Sequence, residues 1–147
     1  MVDTAIKTFI DTSTPFGKVA ERLLRTERVV WLTTVSADGT PQPNAVWFVW
    51  DGDTALMYSI PNQAKLKNIA RNPNVALNLD SKKHGDNLVI LTGTAAVDTS
   101  APPLNKNRAY MTKYRTEIAR LKLGTPAKMA SEYSVAVRIT PKKLRGF

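Results

Sequence analysis

Hydrophobic residues fall at helical spacing in three stretches of this chain and alternate or cluster between them, which predicts helices inserted into a run of strands. Thr14-Pro15 opens the first helix: a side-chain N-cap is followed by proline, whose missing N–H costs nothing at the first helical position. Phe16, Val19, Ala20, Leu23 and Leu24 then share one face, with Lys18, Glu21, Arg22 and Arg25 mostly outside. Val29 to Val35 is rich in β-branched and aromatic residues, and the turn Ser36-Ala37-Asp38-Gly39 leads to a second run, Gln42 to Trp50. Asp51-Gly52-Asp53 turns the chain into Ala55 to Ile60, so three antiparallel strands follow one another.

Asn62 is placed to cap a short helix through Lys65, Ile69 and Ala70 that stops at Asn72-Pro73, because the residue before proline disfavours helical geometry. Val75 to Leu79 and Asn87 to Val97 are the next strands, joined by the polar loop Ser81 to Asp86. After Ala101-Pro102-Pro103, the stripe Met111, Tyr114, Ile118 and Leu121 predicts a helix over 105–122. Ser134 to Ile139 reads as the closing strand, ended by Thr140-Pro141. Most strand connections are too short for parallel crossovers, so six strands predict a mainly β fold, a split antiparallel barrel with flanking helices. Residues 15–147 read as one domain, preceded by an N-terminal segment, 1–14.

Composition narrows the chemistry. The 147 residues, 43% of them apolar, suffice for one core, and the absence of cysteine excludes disulfides, thiolate nucleophiles and cysteine metal sites. No stretch resembles a signal peptide and the longest apolar run, Ala45 to Trp50, is far too short to span a bilayer, so a cytoplasmic protein is expected. The sole histidine, His84, lies in a Lys-Lys-His-Gly loop and supports neither a hydrolytic triad nor a metal site. No glycine-rich phosphate loop is present. The net charge of +9 lies entirely in residues 99–147, which hold 11 Lys+Arg against 2 Asp+Glu. A basic tail of this kind attracts nucleic acid or steers a small polyanion towards a cleft. Lys106 and Arg108 belong to it, but no nucleic-acid-binding signature accompanies them and no nucleic-acid partner is expected.

The ordered pattern Asp38-Gly39-x-Pro41-x-Pro43, Val46-Trp47-Phe48, Ser59-Ile60, Lys65-x-Lys67-Asn68-Ile69 and Asn72-Pro73-x-Val75 resembles the pyridoxamine 5′-phosphate oxidase-like superfamily. Within that superfamily it is most similar to the flavin/deazaflavin oxidoreductases. The resemblance implies a homodimer of split barrels with the cofactor across the interface. The ring would lie along the second and third strands and the phosphate near the following helix. Asn44, Val46, Trp47, Ser59, Ile60, Lys65 and Lys67 are then the implied cofactor-binding residues, with no side chain required as acid or base. Lys65 and Lys67 suit a phosphate, since a helix N-terminus already favours an anion and each ammonium adds a charge-assisted bond.

Two cofactors fit the resemblance: FMN, and the deazaflavin coenzyme F-420 with its anionic oligoglutamate tail. The basic C-terminal third favours coenzyme F-420, if its charges fringe the same cleft. The implied activity is hydride transfer from the reduced deazaflavin to an unsaturated or quinone-like small molecule. An FMN oxidoreductase and a non-catalytic flavin or haem module are the alternatives. Of the tryptophans, Trp47 and Trp50 are expected on opposite strand faces and Trp31 on the neighbouring strand, with at least one lining a site or dimer surface. Tyr110 and Tyr114 suit either core packing or the substrate face.

Overall fold

The computed structural model describes residues 8–80 and 85–147; His84 and most of the predicted loop before Asp86 lie outside them. The predicted capping holds at helix α1 (Pro15–Thr26), where the Thr14 hydroxyl accepts the Gly17 N–H at 2.9 Å. The strands are β1 (Val29–Val35), β2 (Pro41–Trp47), β3 (Val49–Trp50), β4 (Ala55–Ser59), β5 (Asn74–Asn78), β6 (Val89–Val97) and β7 (Val135–Gly146). Helix α2 (Ala64–Arg71) joins β4 to β5, and a 3-10 turn (Leu104–Lys106), α3 (Arg108–Arg120) and α4 (Pro126–Glu132) lie between β6 and β7.

All strand pairs are antiparallel, in the order β2-β1-β5-β6-β7-β4-β3. Because β2 and β3 are successive pieces of one run yet form opposite edges, the sheet must curl on itself. It is the split antiparallel barrel the sequence predicts. The inside is filled by alternate strand residues, among them Val30, Leu32, Met57, Leu77, Leu91 and Val137, all at most 2% exposed. Ile10, from the segment before α1, is buried with them. A second core lies outside the barrel, where Leu56 and Tyr58 of β4 meet Tyr110, Met111, Tyr114 and Ile118 of α3.

Three predicted boundaries are corrected, and one further helix is found. The run from Gln42 to Trp50 is two strands, broken at Phe48, where the chain passes from one sheet edge to the other. The Phe48 peptide groups are satisfied from α3 instead. Its N–H donates to the Tyr114 hydroxyl at 2.8 Å, and its carbonyl accepts from Lys113 Nζ at 2.9 Å. The Tyr114 hydroxyl lies 2.7 Å from the Arg28 carbonyl and 2.8 Å from that of Phe48, so with Lys113 serving Phe48 its proton is free for Arg28. The predicted helix over 105–122 is the 3-10 turn followed by the shorter α3. Helix α4 was not predicted, although Thr125-Pro126 repeats the Thr14-Pro15 signature and Thr125 caps Lys128 N–H at 3.1 Å.

The closing strand does not end at Pro141 but runs to Gly146. Proline is tolerated because the β6–β7 register shifts at Thr92/Gly93, so its missing N–H falls at an irregularity in the ladder. A Cβ at Gly93 would stand 2.1 Å from the Thr140 carbonyl oxygen and 2.7 Å from Pro141 Cα, which leaves room only for glycine. Nearer the start of β7, Arg138 fastens the sheet, its Nε donating to Asp98 Oδ2 at 2.7 Å and its Nη1 to Thr54 Oγ1 at 2.7 Å.

Replacing Tyr114 by phenylalanine keeps the ring but strands the buried Phe48 N–H and frees the part-buried Arg28 carbonyl, and should cost about 1–3 kcal/mol, the usual loss for one unsatisfied buried group. Urea unfolding checks this; a loss below about 0.5 kcal/mol would show that the break needs no plug. The Ser100 hydroxyl and Arg138 hold the Asp98 pKa down to about 2. Its folded value is below the unfolded one, so its contribution is complete above the ordinary carboxylate range and lost as pH falls through about 2. Asp98→Asn should therefore flatten the acid limb of a stability–pH profile; an unchanged limb would contradict this.

Candidate functional site

A cleft of about 320 Å³ opens between the barrel and the α3–α4 segment. Its sheet wall is Ala45, Val46, Trp47, Met57, Tyr58, Ser59 and Ile60, continued by Gln63 and Lys65 at the start of α2. Tyr110 of α3, Leu123 of the connection, Met129 of α4 and Tyr133 just after it form the facing wall.

Strand alternation explains the sheet wall. Trp47 points out of the barrel and stacks on Tyr114, ring centroids 4.5 Å apart and planes 3° from parallel. Tyr114 in turn lies 4.8 Å from Tyr110, and Tyr110 meets Tyr58 edge-on at 5.1 Å. Such stacked and edge-on contacts give the cleft a rigid aromatic flank. Trp50, on the opposite face as predicted, is in the barrel core with its indole N–H on Glu21 at 2.9 Å. Trp31 is 37% exposed on β1 and donates to Asp80 at 3.0 Å.

The anionic-ligand end is built by a helix that breaks a local rule. Asn62 does not cap α2: it sits in the left-handed region (φ 64°), and the N-cap is Gln63, whose side chain makes no capping bond. Backbone N–H groups of Leu66 and Lys67 turn back to the Gln63 carbonyl at 3.0 and 3.3 Å, so the N–H groups of Ala64 and Lys65 remain without an intrahelical partner. No acidic residue occupies the first turn. Lys65 is half-buried beside these donors, and desolvation lowers its ammonium pKa. A bound anion would satisfy both the N–H groups and the charge.

Of the seven residues implied by the sequence, five line the cleft: Val46, Trp47, Ser59, Ile60 and Lys65. Two do not. Asn44 sits farther along β2, with its amide 3.4 Å from the Gln42 carbonyl, and Lys67 is exposed on the side of α2. Ser59 is 1% exposed and gives its proton to the Ile60 carbonyl at 2.9 Å, so towards a ligand its hydroxyl oxygen is foremost an acceptor. Asn68, part of the same motif, is structural: its amide bridges Thr34 at 3.0 Å and Gln42 at 2.8 Å, tying α2 to the barrel.

The facing wall was largely missed because α4 was missed. It brings apolar and aromatic groups, and Lys65 is the one charged residue among the described residues lining the cleft. The C-terminal charge surplus therefore does not fringe it as lining. Among the described residues no carboxylate, imidazole or thiol lines it either, so the arrangement suits binding a planar, partly anionic molecule. Aromatic flank, apolar floor and a cationic end together fit a flavin-type group. Among the described residues no cluster of three potential metal ligands occurs, and no helix is long and apolar enough to cross a membrane.

Known structures share this architecture. An F-420 reductase is 27% identical, matching 85% of this chain and 94% of its own with a TM-score of 0.62. A conserved hypothetical protein of Mycobacterium tuberculosis is 21% identical over 99% of this chain and 89% of its own, TM-score 0.67. The heme storage protein of Vibrio cholerae is 16% identical over 86% and 91%, TM-score 0.55. The last two show the fold alone. No curated protein sequence matches the chain significantly. A family model described as pyridoxamine 5′-phosphate oxidase matches residues 16–147, from the first turn of α1 to the final residue. With the barrel, the order of its motifs and this match in agreement, the chain belongs to the pyridoxamine 5′-phosphate oxidase family.

Proposed function

We propose that the protein is a cytoplasmic, coenzyme F-420-dependent oxidoreductase that passes hydride to an unsaturated or quinone-like small molecule. The observation that carries this reading is the cleft itself. A stacked aromatic flank stands at one end and Lys65 with two free N–H groups at the other, and among the described residues no carboxylate, imidazole or thiol lies between. Similarity to an F-420 reductase supports the choice of cofactor.

The bound deazaflavin would supply the hydride chemistry. The chain's own residues have simpler tasks. Trp47, Val46 and Ile60 orient the ring, the α2 N-terminus and Lys65 hold the phosphate, and Met129, Leu123 and Tyr133 exclude water from the far side. FMN is the second reading, favoured by the charge pattern of the cleft: one lysine matches a single phosphate as well as a longer anionic tail. A haem-storage role gains no imidazole or thiolate from the described residues that line the cleft; the sole histidine, His84, lies outside the described residues.

A homodimer completes the proposal. Val29 is 39% and Trp31 37% exposed on the outer face of β1, beside Pro43 and Ala45 of β2, which offers an apolar surface for a second copy. Sedimentation at micromolar concentration should give a dimer; a monomer would remove the second chain from the site.

Lys65→Ala should weaken cofactor binding by about 1.5–3 kcal/mol, the usual loss for a charge-assisted bond, with little effect on folding. Because burial lowers the Lys65 pKa, the ammonium loses its proton below the ordinary lysine range, and affinity should begin to fall there as pH rises. Lys65→Ala should abolish that fall. Unchanged affinity in the variant would remove Lys65 from the site. The proposed activity is tested by oxidation of reduced coenzyme F-420 by quinones and enones; tight binding without turnover of any acceptor would favour a carrier instead.

A further inference from the structure

The three tyrosines packed together on the α3 side of the cleft differ in what their hydroxyls do. That of Tyr114 is committed to the Phe48 and Arg28 backbone. That of Tyr58 donates to the Pro102 carbonyl at 2.7 Å and accepts from the Asn107 amide at 3.1 Å. Tyr110 is 2% exposed and lines the cleft, yet its hydroxyl makes no hydrogen bond to any described residue. The position is a fixed one. Asn107 caps the Tyr110 N–H at 3.1 Å while holding Tyr58, and the ring is wedged between Tyr58 and Tyr114. No buried polar side-chain atom among the described residues lacks a partner, so this unbonded hydroxyl is open to the cleft rather than sealed in, where a ligand can meet it.

Tyr110 stands on the wall facing the strands, so with a cofactor ring along the sheet its hydroxyl meets whatever lies over that ring. This wall carries Tyr110, Leu123, Met129 and Tyr133 and no charged lining residue. We infer that Tyr110 is the specificity residue of the acceptor site: its hydroxyl donates to a carbonyl oxygen of a planar, uncharged acceptor, and a phosphorylated substrate has no counter-charge on that wall. The inference rests on the oxidoreductase reading above and specifies its substrate class. Burial holds the Tyr110 hydroxyl well above the ordinary tyrosine range, so it stays a protonated donor at all physiological pH.

Equilibrium dialysis of the cofactor-free and cofactor-loaded protein against 2-methyl-1,4-naphthoquinone, 2-methylnaphthalene and pyridoxine 5′-phosphate tests this. The quinone should bind about tenfold tighter than the hydrocarbon that lacks its carbonyls, and Tyr110→Phe should erase that difference while leaving hydrocarbon binding unchanged. The urea midpoint of Tyr110→Phe should be unchanged or raised, since no protein hydrogen bond is lost. A lowered midpoint would overturn the inference by making the hydroxyl structural. It would equally be overturned by quinone preference surviving in the variant, by tightest binding of pyridoxine 5′-phosphate, or by a loss confined to cofactor affinity. Failure of the wild type to bind either cofactor would instead count against the oxidoreductase reading, leaving the quinone comparison on cofactor-free protein as a separate result.

Discussion

One tyrosine hydroxyl holds the barrel to its helical flank. The run from Pro41 to Trp50 must supply both edges of a curled sheet, and at Phe48 its backbone can pair with neither. Left alone, those buried peptide groups would cost about 1–3 kcal/mol each. Tyr114 and Lys113 satisfy them from α3, with the Lys113 ammonium also 3.9 Å above the Phe48 ring centre. The same Tyr114 ring stacks on Trp47, so the contact that closes the barrel also sets the aromatic flank of the cleft. Folding and site geometry thus share one interaction, and α3 cannot shift without disturbing both.

Across the cleft the logic is reversed. Where Tyr114 leaves no backbone group wanting, the start of α2 leaves two N–H groups unspent, lacks a side-chain cap and buries half of a lysine next to them. On the proposed reading, a phosphate-bearing cofactor would repay all three. Tyr110 presents the same kind of unspent donor on the opposite wall. Among the described residues no buried polar side-chain atom lacks a partner, so the donors left over on the cleft are ones a ligand can reach.

Much of this was legible in the sequence. Runs of β-branched and aromatic residues between turns located the strands, Thr14-Pro15 marked α1, and the ordered motifs around Val46-Trp47 and Ser59-Ile60 fall on the sheet wall of the cleft. What escaped was tertiary in origin. The break at Phe48 has no local signal, because it is imposed by sheet closure and repaired by a residue 66 positions away. Pro141 looked like a strand end, and only its register against Gly93 shows why a strand can pass through it. Asn62 was read as a cap by residue type, whereas the chain spends it on a left-handed turn. The Thr125-Pro126 signal for α4 was present and overlooked, and with it most of the wall that faces the strands. Charge was the least reliable guide: the surplus lies on the C-terminal elements, yet their apolar side faces the cleft.

The central claim is that this cleft holds a deazaflavin against Trp47 with its anionic end at Lys65. Parallel titration of the cofactor-free protein with coenzyme F-420 and FMN, followed by tryptophan fluorescence and cofactor absorbance, tests it most directly. Binding of coenzyme F-420 about tenfold tighter than FMN, a difference of about 1.4 kcal/mol, with quenching of tryptophan emission, is the predicted result. Preference for FMN would contradict the choice of cofactor, and binding of neither would contradict the cleft as a cofactor site.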